Sequence, residues 1–123
     1  MLEISTQKSK LQVEVIHQFL TTTYWAKGRT LEEVKKSIEN SFCFGVYIQG
    51  KQVGFARLAT DYTVFAYVMD VFILPEYRGK GYSKELMKSI NEEPKLQSCK
   101  VFIGIGFFYS VFVNFYYSVF MFS

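Results

Sequence analysis

Val71-Phe72-Ile73-Leu74-Pro75-Glu76-Tyr77-Arg78-Gly79-Lys80-Gly81-Tyr82-Ser83 is the stretch on which the fold turns. It closes an apolar run from Val64 to Leu74, interrupted by Asp70 and ended by Pro75. A run apolar on both faces suits a central strand covered on both sides. Two glycines follow with one residue between them, flanked by Arg78 and Lys80. A helical pattern then begins at Tyr82. Leu86 and Ile90 recur at spacing four with Met87 beside them, and Lys84, Glu85 and Lys88 point outward. Such a turn presents successive N–H groups at a helix N-terminus, where the helix dipole also favours an anion. Gly79 and Gly81 permit positive φ and close approach of a ligand to backbone. The expected ligand is a phosphate or pyrophosphate. The spacing is neither a Walker loop nor a GxGxxG dinucleotide fingerprint. On the glycines alone, an ordinary strand–turn–helix is the competing reading.

Upstream of this stretch, residues 2–6 suit a short strand. Ser9-Lys10-Leu11-Gln12 reads as a capping box, in which Ser9 accepts from an amide and Gln12 reaches back. Leu11, Val15 and Phe19 then mark one helix face, although β-branched Val13, Val15 and Ile16 keep a strand open as an alternative. Thr22 to Gly28 is a loop carrying Tyr24 and Trp25. Thr30-Leu31-Glu32-Glu33 is a second capping box, opening a helix with Leu31, Val34 and Ile38 inward. Phe42 to Ile48 alternates as a strand, Gln49-Gly50-Lys51-Gln52 turns, and Val53 to Thr60 returns with Val53, Phe55 and Arg57 on one face. Asp61-Tyr62 turns the chain into the long apolar strand. This order is α+β with a mostly antiparallel sheet.

A chain of 123 residues is one domain's worth and buries a real core. Fourteen Lys and Arg against eleven Asp and Glu leave a net charge of +3, too small a surplus for a nucleic-acid footprint. Two cysteines make neither a disulfide framework nor a four-ligand zinc site, so no metal is expected. The N-terminus MLEISTQKSK lacks an export pattern, and the expected location is cytoplasmic.

The residues Arg78-x-x-Gly81-x-Ser83, following a Pro-terminated apolar strand, resemble the acetyl-CoA-binding motif of the GNAT N-acetyltransferase superfamily, Gln/Arg-x-x-Gly-x-Gly/Ala. Ser83 departs from that pattern but is small. The order strand, two helices, hairpin, central strand, motif and helix is also similar to this family over residues 2–98. So is Gly54-Phe55-Ala56-Arg57 on the second hairpin strand. The resemblance implies a central sheet flanked by helices, with the family's closing C-terminal elements missing or altered. It implies that amides of Arg78, Gly79, Lys80, Gly81, Tyr82 and Ser83 cradle the pyrophosphate of coenzyme A. The backbone of Val71, Phe72 and Ile73 would pair with pantetheine, and an amide near Val71 would polarise the acetyl carbonyl. The activity implied is acetyl-CoA-dependent transfer of an acetyl group to a primary amine of a small molecule or peptide. A catalytically impaired remnant that only binds coenzyme A is the alternative, and a membrane-tethered interaction module a third reading.

Asp70 is the one acidic or basic side chain charged near neutral pH between Val64 and Leu74. A carboxylate in such surroundings suits a general base. The competing reading is a bulge residue bonded to backbone amides or paired with Arg57. Tyr24, Trp25 and Arg29 lie between the first two helices. In the family this region walls the acceptor pocket, which makes Trp25 and Arg29 the substrate-side candidates, against a plain packing role. Asp61 reads as a turn residue, His17 as structural and Cys43 as a small buried apolar residue.

Of 23 aromatic residues, seven Phe and three Tyr fall in Val101 to Ser123, a stretch without a charged residue. The chain therefore divides into a domain over 1–100 and an aromatic tail over 101–123. Val101 to Phe107 suits a strand. Beyond it the family's general-acid Tyr has no match among Tyr109, Tyr116 and Tyr117. Three readings of the tail stand: buried strands of a shortened domain, a membrane segment of sufficient length, or a shifted reading frame in T-rich DNA. A sheet without its closing strands exposes an edge, which brings a homodimer among the expected partners.

Overall fold

The computed structural model describes residues 1–104. Its strands are β1 (Leu2–Ser5), β2 (Phe42–Ile48), β3 (Lys51–Thr60), β4 (Phe65–Ile73) and β5 (Val101–Gly104). Helix α1 (Val13–Leu20) and helix α2 (Leu31–Glu39) follow β1, and α3 (Tyr82–Glu92) lies between β4 and β5. The strands form one sheet in the order β1-β2-β3-β4-β5. Every pairing is antiparallel except β4 with β5, which run parallel. This is the expected α+β arrangement. The strand expected to run to Phe107 is described to Gly104, and the rest of the tail, with Tyr109, Tyr116 and Tyr117, lies outside the described residues.

The sheet buries a different cluster on each side. One joins Phe44, Val46, Leu58, Val68 and Val71 to Leu86, Met87 and Ile90 of α3. The other joins Cys43, Phe55 and Phe72 to Ile16 and Leu20 of α1 and to Val34 and Ile38 of α2. Phe19 stacks on Phe72 with ring centroids 4.2 Å apart. Cys43 is buried, as its alternation implied.

Helix α2 starts as its sequence dictates. Thr30 accepts from the Glu33 amide and Glu33 accepts from the Thr30 amide, a complete capping box. Helix α1 does not. Lys8–Lys10 form a short 3-10 turn, Ser9 accepts from the Gln7 side chain, and the helix begins at Val13 after Gln12. The reason is a long-range competitor. The fully buried Gln52 accepts from the Gln12 amide (2.7 Å), while the Gln12 side chain accepts from the Gln52 amide (3.1 Å) and donates to the Gly50 carbonyl. The hairpin tip thus caps α1, and Gln52 belongs to β3 rather than to the turn. Val53 packs in the α3-side cluster, opposite to Phe55, because the β2–β3 register shifts between Val46 and Tyr47.

A second register shift positions the site. Phe55 pairs with Phe72 and Arg57 with Met69, so β4 carries one extra residue at Asp70–Val71. Asp70 takes φ +55, the left-handed region, as a bulge residue can. Asp61 terminates the preceding hairpin. Its Oδ1 accepts from the amides of Thr63, Val64 and Phe65, which hold its carboxyl below the usual range.

Candidate functional site

The end of β4 feeds a short 3-10 turn, Pro75–Tyr77, and then the glycine turn. Gly79 has φ +80 and Gly81 φ +83, backbone that L side chains rarely adopt. Gly81 is the N-cap of α3, and no side chain caps that helix. The first four N–H groups of an α-helix have no partner within the helix. Gly81, Tyr82 and Ser83 at this helix start line a cleft of about 280 Å³ together with Ile73, Tyr77, Arg78 and Gly79. A Cβ built on Gly79 or Gly81 would meet nothing within 4 Å. The glycines therefore do not make room for protein. They leave open space above amides at the positive end of a helix.

Six of the nine residues expected to hold a cofactor line this one cleft. Val71 and Phe72 are buried in β4 just behind it, and Lys80 is exposed on the turn without lining the cleft. Arg78 is partly committed: its Nε donates to the Ile73 carbonyl (2.8 Å), closing the turn back onto the strand.

A charged cluster sits at the bulge, on the face covered by α1 and α2. Asp70 Oδ2 accepts from Arg29 Nη1 (2.7 Å) and from Arg57 Nε (2.8 Å). The Asp70 side chain is 1% exposed, that of Arg57 12% and that of Arg29 20%. Arg57 also donates to Ser41 Oγ and to the Met69 sulfur. The pairing of Asp70 with Arg57 was one of the two readings of that carboxylate. Arg29 is the addition, reaching across 41 positions of sequence. Its backbone is held on both sides, by Arg29 N–H to the Ala26 carbonyl and by His17 Nε2–H to the Arg29 carbonyl (3.0 Å). His17 is structural in this sense: it fixes where Arg29 emerges. Trp25, half-buried, packs against the cluster containing Phe55 and Phe72, and Tyr24 meets it edge-on at 5.4 Å.

Burial pushes the Cys43 thiol from 9.0 up to about 11, against the pull of nearby Lys8 and Arg57. Burial also pushes Tyr47 up to about 12. Neither group is poised for chemistry near neutrality. Among the described residues, no cluster of His, Cys, Asp and Glu could hold a metal ion, and no helix is long and apolar enough to cross a membrane.

Comparison with known proteins gives this geometry a family. The model of the acetyltransferase (GNAT) family matches residues 12–109. A crystal structure of a GNAT-family protein from Xanthomonas campestris pv. campestris superposes with a TM-score of 0.89 at 40% identity, covering 94% of this chain and 82% of that one. An acetyltransferase candidate of Gibberella zeae is 29% identical over 72% of this chain and 62% of its own length. The N-acetyltransferase ycf52-like protein of Prochlorococcus marinus is 33% identical over 71% of this chain and 51% of its own. The chain thus spans between half and two thirds of the length of these two curated relatives.

Proposed function

This chain belongs to the acetyltransferase (GNAT) family, and we propose that it moves an acetyl group from acetyl-CoA to a primary amine. The observation that carries the reading is the uncapped N-terminus of α3, with open space above two positive-φ glycines. A pyrophosphate supplies the two things this turn lacks, a negative charge at the helix dipole and acceptors for unpartnered amides. Bound acetyl-CoA supplies an acyl group activated as a thioester.

The chain's own residues divide the remaining work. Amides from Arg78 to Ser83 bind the phosphates, and Arg78 braces the turn against β4. The backbone of Val71, Phe72 and Ile73 lines the approach of the pantetheine arm. Val71 lies in the bulge, where the ladder with β3 is interrupted. An amide freed there is a suitable donor to an acyl oxygen. Asp70 acts as a positioning residue in this proposal. Two guanidiniums occupy one of its oxygens, and its side chain is closed to solvent. A base must be within hydrogen-bond reach of the ammonium proton. Arg29 and Trp25 border the acceptor side. Unpaired Cys43 and Cys99 support a reducing compartment, the cytoplasm.

The test is calorimetric titration with coenzyme A, followed by a thiol-release assay over a panel of primary amines. Saturable one-to-one binding and amine-dependent thiol release are expected. Failure to bind coenzyme A would overturn the reading.

A further inference from the structure

We infer that the acceptor amine carries a carboxylate, and that Arg29 is the residue that selects it. The inference rests on the acetyl-transfer reading above and names its substrate class.

The argument starts from a charge count. One carboxylate, Asp70, faces two guanidiniums, Arg29 and Arg57, and all three are at least four-fifths buried. The cluster therefore carries one formal positive charge in excess. Unpaired charge away from water is costly, and a complementary anion relieves it. The two arginines are not equivalent. Arg57 is spent, with Nε on Asp70, Nη1 on Ser41 and Nη2 on Met69. Arg29 gives only Nη1 to Asp70. Its Nε–Nη2 edge bonds no group among the described residues, and its side chain retains a fifth of its exposure. That edge is a planar two-donor fork, the shape that binds a carboxylate with two parallel hydrogen bonds.

Its placement makes the fork relevant to the acceptor. Arg29 is tied to Asp70, the residue immediately before Val71, whose backbone borders the acyl site in the proposed function. The fork is also preorganised. The guanidinium is anchored by Asp70 and the backbone by Ala26 and His17, so little freedom is lost on binding. A neutral or purely cationic amine would leave the excess charge uncompensated.

The test uses coenzyme A-loaded protein and Trp25, the one tryptophan of the chain, four positions before Arg29, as a fluorescent reporter. Probes are glycine, β-alanine, 4-aminobutyrate and 5-aminovalerate, each paired with its carboxamide. The series varies the distance between amine and carboxylate. At least one acid should bind at least about tenfold more tightly than its amide, the size expected for a charge-assisted pair. Arg29→Gln should abolish that preference, the acid binding no more tightly than its amide, while coenzyme A still binds. Arg29→Lys, which keeps the charge and loses the fork, should recover only part of it. Equal binding of acid and amide, absence of binding by every probe, or an acid preference that survives Arg29→Gln would each overturn the inference while coenzyme A binding still stands. Loss of coenzyme A binding by the wild-type protein would instead overturn the acetyl-transfer reading, and this inference with it.

Discussion

Gly81 separates two jobs that a glycine can do. It holds φ +83 as the N-cap of α3, and its missing Cβ would meet nothing in the protein. Gly81→Ala therefore creates no clash in the free protein, and its cost is conformational. Placing an L residue in the left-handed region costs about 1–2 kcal/mol. For a chain of this size that lowers Tm by roughly 4–10 °C. Asn tolerates the same region far better, so Gly81→Asn should regain most of that loss. Coenzyme A affinity should behave differently. If the open space is where the pyrophosphate sits, Asn projects further into it than Ala does. Displacing even one amide–phosphate bond costs about 1.5–3 kcal/mol, or roughly ten- to a hundredfold in Kd. Thermal melts and calorimetric titrations of wild type, Gly81→Ala and Gly81→Asn would read the two effects separately. Stability should rank wild type, Asn, Ala, while affinity should rank wild type, Ala, Asn. A Gly81→Asn protein that binds coenzyme A as tightly as wild type would refute the reasoning, because it would leave the glycine only its turn.

Three further outcomes are expected. Asp70→Ala leaves Arg29 and Arg57 facing each other in a partly buried site, and urea denaturation should report a loss of about 3–5 kcal/mol; a loss under about 1 kcal/mol would mean that water already screens the pair. A Cβ on Gly54 would lie 2.7 Å from Ile73 Cδ1 and 3.0 Å from the Phe72 carbonyl oxygen, so Gly54→Ala should cost about 1–3 kcal/mol by the same measurement. Cys43 is held protonated by the fold from 9.0 up to about 11 and Tyr47 from 10.0 up to about 12. The unfolded chain releases these protons first, so the stability these two groups contribute should be constant from neutral pH to about 9 and be lost between pH 9 and about 12. Cys43→Ala should remove the lower part of that slope, and an unchanged slope would assign it elsewhere.

What the sequence carried, it carried locally. Thr30 and Glu33 make their capping box within one turn of chain, and no distant residue competes. Gly79 and Gly81 mark positive φ because few other residues tolerate it, so the glycine turn at the start of α3 was legible in the sequence. The alternation of Phe42 to Ile48 and the stop at Pro75 fixed two strands for similar reasons. Ser9 failed as a cap because a buried amide forty positions away, Gln52, claims the start of α1. The partners of Asp70 were half legible. Arg57 stands near it on the adjacent strand, whereas Arg29 arrives from a loop whose path depends on how α1 and α2 pack. The bulge in β4 was legible in Asp70 itself, a polar interruption of an apolar run and one of the few residue types besides glycine that visits positive φ. A carboxylate that looks isolated in an apolar run thus has two guanidiniums on Oδ2, while its buried Oδ1 has no hydrogen-bond partner among the described residues.

The bulge also acts as a phase switch. Ala66 and Val68 belong to the α3-side cluster, and a strict two-residue repeat would send residue 70 after them, driving a carboxylate in among Leu86, Met87 and Ile90. The extra residue inverts the parity instead. Val71 and Ile73 inherit the α3 side, and Asp70 and Phe72 emerge toward α1 and α2. β4 is thus two half-strands written out of step, with the glycine turn hanging from the second. Removing Asp70 would restore the rhythm with Val71, Phe72 and Ile73 still on the sides they hold now. The extra residue is thus an insertion that the two cores do not need, and what it adds is a carboxylate delivered to the side of α1 and α2.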